Sequence, residues 1–522
     1  MTFLTKEKIK SILTQRFEGD IFASLKQLPH PFQLKGMEKA ADLITSSIKN
    51  NQKILIVGDY DVDGITSCVI MMKFFYLLDY NNVSYVIPNR FNDGYGISKT
   101  IVQNNPADII ITVDNGISAF ETAQYCKQNN IIFIITDHHT IKDKLPQADV
   151  IINPQQKDCL FPQKEICGAT IAWYLCNAIK IKSQLQISLA PLLDMVCIAT
   201  IADMMPLTKI NKILVKTGLK KFIDSLSYPN QILKSHLKTK NPTAQDIAFY
   251  IAPLINSAGR MGDGNIAASF LLSSNQKEAQ ELYTKLNNLN KERKFIAQQT
   301  LELAQNTSMI THNCVIACGE GWHEGILGIV ATNLSQNHCK PAIALSKKGK
   351  ILKGSARSYG NINLIEVMNK HSDFFIHFGG HTKAVGLEME EKNLIPLFEA
   401  LKDFTMPEIT ETQMDEILGI LDPKEIDETL LKILEEFEPY GEGNPQPNFI
   451  CQNLKITSSK ILKSLHQQLE FQTTFYKQKA MLFFCKEFYE KNDHVNINFT
   501  LQRDSFNNKP LMILKTIIKC HS

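Results

Sequence analysis

Five short apolar runs, separated by helical stretches, constrain the fold of this chain more than any other feature. The runs are ILIV (54–57), VSYVI (83–87), DIIITV (108–113), IIFIIT (131–136) and VII (150–152). A buried parallel strand has a short, continuously apolar sequence, and strands that alternate with amphipathic helices form a doubly wound parallel sheet. The sequence therefore predicts an α/β domain built around this sheet.

Acidic and histidine side chains follow several of these runs. Gly58–Gly64 reads GDYDVDG after the first run, Asp114 follows the third, and Asp137–His139 follows the fourth. Ligands bind at the carboxyl ends of the strands in open α/β sheets. Crowded carboxylates repel one another unless a cation neutralises them, and oxygen-rich clusters suit Mg²⁺ or Mn²⁺. For GDYDVDG alone, an acidic turn that caps the following helix is an equal alternative.

Two later motifs also carry polar groups suited to a site. Asp203 lies in the otherwise apolar stretch Thr200–Leu207, and a buried acid is costly unless it is paired or metal-bound. The alternative is an aspartate near a helix end that Pro206 stops. Asn256–Gly264 reads as a glycine-rich loop that carries Arg260. Backbone N–H groups and a guanidinium in such a loop would bind a phosphate.

The second half of the chain indicates further domains. No glycine or proline occurs between Asn265 and Cys318, and leucines recur at helical spacing. This predicts a long connecting helix over residues 275–305. Strands predicted at 314–318 and 341–345 begin a second α/β region, whose glycine-bearing motifs supply small and cationic residues. Short β-like segments at 449–451, 454–457, 480–484, 495–501 and 511–518 are typical of a small β-barrel such as an OB-fold.

The predicted barrel carries basic and aromatic residues that would form a stacking surface for a single nucleic-acid strand. The alternative is a solvated barrel whose aromatic residues form its core. The residues are Lys455, Lys460, Lys463, Lys477, Lys479, Arg503, Phe471, Phe475 and Tyr476.

Composition narrows the class of protein. The formal net charge of +3 neither demands nor excludes a nucleic-acid partner. The twelve cysteines lack metal-site spacing, so free thiols in a reducing cytoplasm are expected. The polar N-terminus is unlike a signal peptide, and Leu189–Leu207 carries two aspartates, so no membrane span is expected. The chain has no P-loop motif, which argues against a helicase motor.

Twelve motifs occur in a fixed order along the chain. They are GDYDVDG (58–64), RFNDGYG (90–96), TVDNGI (112–117), DHH (137–139), NP…P…CG (153–168), TIADMMPL (200–207), NSAGR (256–260), LNNLNKER (286–293), WHEGILGIVA (322–331), GSARS (354–358), FGGH (378–381) and EPYGEGNPQP (438–447). This ordered set resembles the DHH phosphoesterase superfamily and, within it, the RecJ family of single-strand-specific 5′→3′ exonucleases.

The resemblance implies an α/β multidomain protein. Its parts are a parallel-sheet DHH catalytic domain (51–274), a connecting helix (275–306), a smaller α/β DHHA1 substrate-binding domain (307–408) and a C-terminal OB-fold barrel (409–522). The helical, mixed polar residues 1–50 are themselves expected to form a lead-in that packs on the first domain. A groove between two domains joined by one helix would admit a single strand and exclude a duplex.

The resemblance also implies roles for individual residues. Asp114, placed between the other implied ligands, is expected to bridge two Mn²⁺ or Mg²⁺ ions. Asp63 matches no ligand position of the family and is expected to orient the ligands or to cap the helix after Gly64. His139 would lie near the scissile phosphate. The implied metal ligands are Asp59, Asp61, Asp114, His138 and Asp203. The implied catalytic residues are Asp114, Asp137, His138 and His139. The implied substrate-binding residues are Arg90, Arg260, Ser355, Arg357, Gly380 and His381.

Of these, Arg260, Arg357 and His381 would hold the 5′-terminal phosphate. That anchor would fix the polarity of an exonuclease that releases 5′-mononucleotides. The expected partners are single-stranded DNA with a free 5′ end, a single-strand-binding protein and a separate helicase. The protein is expected to be a cytoplasmic monomer that acts in DNA repair and recombination.

Two departures from the family pattern bear on these expectations. Many DHH phosphatases have a histidine where this chain has Leu55, which puts the occupancy of one metal site in question. The chain also ends soon after the barrel, so contacts made by a further C-terminal domain are not implied.

Two other functions are weighed beside the exonuclease. The first is a DHH phosphodiesterase for short oligonucleotides, cyclic dinucleotides or pyrophosphate, although such enzymes usually lack the barrel. The second is a degenerate DHH scaffold that binds nucleic acid without cleaving it, which the intact set of acids and histidines argues against.

Overall fold

The computed structural model describes residues 3–141, 144–237, 239–402, 417–472, 477–485, 487–504 and 507–520. The chain divides into two compact units. Unit 1 comprises Met1–Pro253, Ala267–Tyr283 and Met414–Ser522, and unit 2 comprises Leu254–Ile266 and Thr284–Gln413.

A five-stranded parallel sheet lies at the centre of unit 1. Its strands are β1 (Ile54–Val57), β2 (Val83–Val86), β3 (Ile109–Val113), β4 (Ile132–Thr136) and β5 (Val150–Ile152), in the order β2-β1-β3-β4-β5. Each predicted apolar run forms one of these strands, so the predicted doubly wound sheet is confirmed. The strand order reverses between β1 and β3, and this reversal opens a crevice at the carboxyl ends of the two strands.

Helices alternate with these strands along the chain, and further helices precede and follow them up to residue 307. In the central helix α3, thirteen of the first fourteen residues are buried and Lys73 is the exception, as expected for a helix enclosed by its neighbours. The helices are α1 (Lys6–Gln15), α2 (Met37–Lys49), α3 (Val62–Leu77), α4 (Lys99–Asn104), α5 (Phe120–Gln128), α6 (Gly168–Lys182), α7 (Leu193–Ala202), α8 (Lys209–Asp224), α9 (Tyr228–His236), α10 (Ala244–Asp246), a π-helix (Ile247–Ile251), α11 (Ala252–Met261), α12 (Asn265–Leu272) and α13 (Gln276–Thr307).

The predicted long helix is confirmed as α13. The predicted phosphate-binding loop around Arg260 is wrong, because Asn256–Arg260 lies inside the helix α11. Buried Ile255 and Ala258 hold this segment in the core, and a glycine inside a helix costs only about 1 kcal/mol relative to alanine. The backbone N–H groups within a helix bond to its own carbonyls, so they form no phosphate cradle.

Unit 2 contains a mixed six-stranded sheet in the order β10-β11-β9-β8-β7-β6. Only β7 and β8, the two predicted strands, are paired in parallel, and the other pairs are antiparallel. The strands are β6 (Met309–Ile310), β7 (Val315–Glu320), β8 (Ala342–Lys348), β9 (Ile351–Arg357), β10 (His377–His381) and β11 (Ala384–Glu390), and the further helices are α14 (Leu327–His338), α15 (Leu364–Lys370) and α16 (Leu394–Lys402).

A closed five-stranded barrel follows in unit 1, as the sequence predicts. Its strands run in the order β13-β14-β15-β17-β16, and β16 pairs back onto β13, while β12 extends β13 in parallel. The sequence did not predict β14, because buried Gln467 interrupts its apolar alternation. The elements are β12 (Ile417–Ile420), α17 (Glu428–Glu436), β13 (Asn448–Leu462), β14 (His466–Gln472), β15 (Lys477–Leu482), β16 (His494–Arg503) and β17 (Pro510–Lys519).

The N-terminal helix packs differently from the prediction. Ile9 and Leu13 of α1 are fully buried in the barrel core with residues of α17. Lys6 Nζ lies 2.7 Å from Asp427 Oδ2. The short helix Pro31–Gln33 and α2 do pack on the parallel-sheet domain, against α6. The prediction was wrong for α1 because an apolar stripe fixes which face is buried but not which partner buries it.

The barrel surface also differs from the predicted stacking surface. Phe471 is fully buried in the core, and Arg503 forms ion pairs with Glu428 and Glu435. Phe475 and Tyr476 lie outside the described residues. The five predicted lysines are exposed, so the basic part of the surface is present, and the alternative of an aromatic core is correct for Phe471.

Two further expectations concern the whole chain. All twelve cysteines are free thiols, as predicted. Within the ranges given above, no helix has both the length and the apolar character needed to cross a bilayer.

We expect Ile9→Ala to destabilise the barrel by about 2–5 kcal/mol, because it leaves a cavity in a packed core. Urea denaturation measures the free energy of unfolding, and hydrogen exchange of the β16 amides shows whether the barrel is the part that is destabilised. Lys8→Ala, on the exposed side of the same helix, is the matched control and should change little. Unchanged protection of β16 in Ile9→Ala would contradict the packing of α1 on the barrel.

Candidate metal centre

The crevice in unit 1 receives side chains from three strands and one helix. Asp59 lies two residues beyond β1, Asp114 directly follows β3, and Asp137–His139 directly follows β4. Asp203 follows the last residue of α7. The parallel order of the strands places these groups at one edge of the sheet, as the sequence predicts.

The backbone around Asp114 is shaped to present its carboxylate. Its φ of 62° is left-handed, a conformation that aspartate tolerates better than most residues. Its N–H donates to Thr136 O at 3.0 Å. A Cβ on Gly168 would lie 2.5 Å from Asp114 Cβ. Only glycine at the start of α6 therefore lets this helix approach the site.

Asn115 fixes the same turn and was not singled out from the sequence. Its buried amide donates to Val57 O and Val113 O, each at 3.0 Å, and accepts a hydrogen bond from Ile97 N at 3.0 Å. One side chain therefore joins the ends of β1 and β3 to the loop before α4. The sequence feature that could have indicated this role is the position of Asn115 directly after Asp114 in the motif TVDNGI (112–117).

His138 brings the predicted ligands together. Its Nε2 atom lies 3.1 Å from Asp114 Oδ1 and 3.6 Å from both Asp63 Oδ2 and Asp203 Oδ2. Three overlapping groups of side chains could each hold a metal ion. Within each group the ligand atoms lie within 4.8 Å of one another, and Asp114 belongs to two of the groups. The groups are Asp59–Asp61–Asp114, Asp63–His138–Asp203 and Asp114–His138–His139.

The electrostatics of this cluster favour a bound cation. Burial and neighbouring carboxylates raise the pKa of Asp59, Asp114 and Asp203 well above the usual range. Asp59 Oδ1, Asp114 Oδ1 and Asp203 Oδ2 are buried and accept no hydrogen bond from any described residue, although the last two atoms lie within ion-pair distance of His138 Nε2. Buried carboxylates without compensation are costly, and oxygen and imidazole ligands suit Mn²⁺ or Mg²⁺. The residues present therefore fit divalent metal ions.

Asp61 and Asp63 have different roles in the structure. Asp61 Oδ1 accepts hydrogen bonds from Asp63 N at 2.9 Å and Gly64 N at 3.2 Å, and so caps α3. Asp61 thus fits both alternatives for this turn, since it caps a helix and also belongs to a ligand group.

Asp63 caps a different helix from the one predicted. Its Oδ2 and Oδ1 accept hydrogen bonds from Gly168 N at 2.6 Å and Ala169 N at 2.7 Å, at the start of α6. Capping of the helix after Gly64 was therefore a wrong prediction. Burial and Asp61 nevertheless raise its pKa to about 6. No local pattern indicates this contact, because 105 residues separate Asp63 from Gly168.

Asp137 holds His139 in place. Its Oδ1 lies 2.7 Å from His139 Nδ1, and its Oδ2 accepts a hydrogen bond from Ile117 N at 2.8 Å. Burial disfavours both charges, yet this pairing holds the pKa of Asp137 below its usual range and raises the pKa of His139 to about 9. The Nε2 atom of His139 lies 3.3 Å from the Tyr95 hydroxyl.

Arg90 and Leu55 lie in contrasting surroundings. The Arg90 guanidinium lies 5.1 Å from the centre of the Tyr60 ring. Tyr60 stands between Asp59 and Asp61 in the sequence. Leu55 is a residue of β1 and is buried in the apolar core with Val57, Ile110 and Phe133. Leu55 therefore supplies core packing, and the described metal groups are built without it.

Unit 2 contains the second set of predicted site residues. Arg260 Nη1 donates to Gly325 O at 3.2 Å, and Arg357 Nη1 donates to Ser355 Oγ at 2.6 Å. A Cβ on Gly328 would lie 2.5 Å from Arg357 Nη2. Both arginines thus approach the segment that begins α14.

The sheet of unit 2 adds the remaining predicted residues. Strand pairing places His381 opposite Ala384, and Ala384 opposite Arg357. Gly380 has a φ of 150°, and a Cβ there would lie 2.2 Å from Ala384 O. His323 is a neighbour of this cluster, since its Nδ1 accepts a hydrogen bond from Gly325 N. The sequence indicated His323 only as part of the motif WHEGILGIVA (322–331).

Comparisons with known proteins agree with this layout. Family models match residues 53–200 (DHH family, N-terminal domain), 307–406 (DHHA1 domain) and 419–516 (RecJ OB domain). The chain is 31% identical over 455 residues to a Haemophilus influenzae protein named single-stranded-DNA-specific exonuclease RecJ, covering 82% of this chain and 79% of that protein.

Two solved structures are similar over nearly the whole chain. The Thermus thermophilus RecJ structure in complex with Mn²⁺ has a TM-score of 0.81 and 26% identity, covering 96% of this chain and 74% of that one. The structure of the same protein with Mg²⁺ has a TM-score of 0.77 and 24% identity, covering 98% and 75%.

We expect Asp59→Asn and Asp63→Asn to have opposite effects on the metal-free protein. Asp59→Asn removes a buried charge that repels its neighbours, so the thermal midpoint should rise. Asp63→Asn replaces an acceptor that α6 needs, which should cost about 1–3 kcal/mol. Differential scanning calorimetry in EDTA measures both midpoints. A lowered midpoint for Asp59→Asn would show that its carboxylate is compensated in the absence of metal.

Proposed function

This chain belongs to the RecJ family of single-stranded-DNA-specific exonucleases, and from that premise we propose how it works. It hydrolyses single-stranded DNA from the 5′ end and releases 5′-mononucleotides, using two Mn²⁺ or Mg²⁺ ions. The observation that carries this proposal is the convergence of Asp59, Asp61, Asp114, His138 and Asp203 in one crevice of unit 1.

The proposed ligands divide between two positions that share one carboxylate. Asp59 and Asp61 would hold one ion, His138 and Asp203 would hold the other, and Asp114 would contact both. Divalent cations in such a pair lower the pKa of water and neutralise the charge that develops on a phosphodiester. The buried carboxylates would hold the two cations where bulk water does not screen their charge.

Two residues beside these ligands would act on the substrate. Asp137 holds the Nδ1 atom of His139. The Nε2 atom of His139 therefore lies on the opposite side of the ring, near the Tyr95 hydroxyl. A histidine in this setting is cationic at neutral pH because its pKa is raised to about 9, which suits contact with a phosphate oxygen. Arg90, on the turn that follows β2, would contribute a further contact to the DNA backbone.

Unit 2 would bind the 5′-terminal phosphate. Arg260, Arg357 and His381 supply cationic or hydrogen-bonding groups, and Ser355 supplies a hydroxyl next to Arg357. Guanidinium groups bind phosphate through paired, charge-assisted hydrogen bonds. Because Gly380 has no side chain, it would allow the DNA strand to approach the protein backbone at this position. An anchor for the terminal phosphate would account for 5′→3′ polarity.

The proposal extends to the setting of the reaction. We assign the catalytic, substrate-binding and barrel domains the boundaries predicted from the sequence. The protein would act as a cytoplasmic monomer in DNA repair and recombination. A separate helicase would supply unwound DNA, since the sequence has no P-loop motif, and a single-strand-binding protein would be a further partner.

Manganese-dependent digestion tests the function directly. A long single strand labelled at its 5′ or 3′ end is compared with the same strand in a duplex and with a dinucleotide. The proposal expects immediate release of the 5′ label as a mononucleotide, late release of the 3′ label and little attack on the duplex. Faster cleavage of the dinucleotide would instead favour the short-oligonucleotide phosphodiesterase.

Asp114→Ala should lower the rate of hydrolysis by about 10³-fold or more, which corresponds to a loss of about 4 kcal/mol in transition-state stabilisation. It should largely spare DNA binding, because the proposed phosphate contacts of unit 2 remain. Single-turnover digestion and fluorescence anisotropy separate the two effects. Turnover near that of the wild type would rule out the proposed bridging role.

Arg357→Ala should raise the KM for a 5′-phosphorylated strand by about 10-fold or more, because one charge-assisted contact is lost. The KM for a 5′-hydroxyl strand should change much less. Lys353→Ala is the matched control, since Lys353 lies on the same strand β9 and is exposed. Equal effects on the two substrates would argue against an anchor for the terminal phosphate.

A further inference from the structure

Asp203 is supported differently from the other proposed ligands. Asp59, Asp114 and His138 follow strands of the central sheet, whereas Asp203 follows the end of a helix, and its side chain is 32% exposed. The next residue, Met204, has a left-handed φ of 53° and is exposed. The chain therefore turns sharply away from the sheet directly after this ligand.

The loop that follows Asp203 contacts a hairpin from the far end of the chain. We call Met204–Thr208 the ligand loop and Tyr440–Asn444 the clamp hairpin. Leu207 N donates to Glu442 O at 2.7 Å. A Cβ on Gly441 would lie 2.8 Å from Leu207 Cδ1. A Cβ on Gly443 would lie 3.1 Å from Pro206 Cβ. The two segments are thus in contact along their backbones, and the glycines make that approach possible.

The clamp hairpin is itself rigidly built. Gly441 and Asn444 exchange backbone hydrogen bonds at 2.9 and 3.1 Å. The fully buried Asn444 donates from Nδ2 to Phe437 O at 2.9 Å and to Pro439 O at 2.8 Å. Arg16 Nη1 donates to Pro445 O at 2.7 Å. These bonds tie the hairpin to the segment directly after α17 and to the end of α1.

The opposite side of the ligand loop is also held. Asn211 Nδ2 of α8 donates to Pro206 O at 3.0 Å and to Glu165 O at 2.7 Å. Leu207 is buried against Cys197, Val215 and Ala244. The loop is therefore fixed between α8 and the clamp hairpin, and a shift of the hairpin would reach Asp203 four residues before Leu207.

We propose that the clamp hairpin is a positioning element for the metal centre, which holds Asp203 at the distance that His138 and its ion require. This assigns a role to the EPYGEGNPQP motif, which the proposed catalytic machinery does not use. The inference rests on the proposed function, because it takes Asp203 to be a metal ligand. Its residues act through the ligand loop and do not touch substrate or metal.

Two variants disturb the clamp in different ways. Asn444→Ala removes the two hydrogen bonds that shape the hairpin. Gly441→Ala places a methyl group against Leu207 without backbone strain, since Gly441 has no left-handed φ. Gln467→Ala is the matched control. Its buried amide also makes several hydrogen bonds within the barrel, to Ser459 and Tyr489, but none to the hairpin or the ligand loop.

Isothermal titration of the metal-free proteins with Mn²⁺ is the main measurement. Supporting contacts behind metal ligands typically contribute 10–100-fold in affinity, so we expect one of the two sites to weaken about tenfold in both clamp variants. Turnover should fall at limiting Mn²⁺ and recover at high Mn²⁺, with KM for DNA unchanged. Hydrogen exchange should also show faster exchange of the Leu207 amide.

A double variant provides a rescue. Leu207→Val removes the atom that the new methyl group meets, so Gly441→Ala/Leu207→Val should bind Mn²⁺ more tightly than Gly441→Ala alone. Gly441→Ala is the smallest possible change, which keeps the inference testable if Asn444→Ala does not fold.

The outcomes separate the inference from the function beneath it. Wild-type affinity for both ions in folded Asn444→Ala and Gly441→Ala would overturn the inference, as would an equal loss in Gln467→Ala. If the wild-type protein binds no Mn²⁺, or digests no single-stranded DNA, the proposed function fails instead. If the wild type is active and binds two ions, only the comparison of variants decides.

Discussion

The mutual repulsion of buried carboxylates is the constraint on which the catalytic part of this molecule depends. Asp59, Asp114 and Asp203 each keep a buried oxygen without a hydrogen-bond donor among the described residues. Such a cluster persists only where the surrounding fold supplies the energy to hold it. The parallel sheet, the asparagine that ties β1 to β3, and the glycine that lets α6 approach Asp114 together meet that requirement.

The two compact units carry opposite electrostatic characters at their proposed sites. The site in unit 1 is dominated by carboxylates, which attract cations and would repel DNA in their absence. The cluster in unit 2 contains arginines, a serine and histidines, and the phosphate binding proposed for them would need no metal. Metal dependence and recognition of the strand are therefore expected to be separable properties, because different side chains in different units carry them.

Much of this architecture follows from local sequence signals. The five strands, the helix α13 and the closing of a barrel could be predicted because apolar continuity, the absence of breakers and regular short strands are local patterns. Most proposed ligands could be placed because they follow predicted strands, although their individual roles came from the family resemblance. The errors concern contacts distant in sequence, since no local pattern indicates that Asp63 caps α6 or that α1 joins the barrel.

The segment around Arg260 shows a different limit. Its glycines indicate a loop, yet buried neighbours keep it helical in α11. Tertiary packing outweighs a weak local preference here, because one glycine costs less than the apolar burial gained around it. The Arg260 guanidinium still donates to Gly325 O, so the predicted backbone cradle was wrong, while phosphate binding by the guanidinium itself stays a prediction.

The packing of α1 on the barrel has a consequence for synthesis of the chain. Lys6 and Asp427 are 421 residues apart in sequence, yet they meet at the surface of one core. The ribosome releases α1 long before its partner strands exist, so the apolar face of Ile9 and Leu13 stays uncovered while the parallel sheet forms. The barrel is thus the last part of unit 1 to be completed, and its slow, non-local closure exposes the nascent chain to aggregation and calls for protection by chaperones.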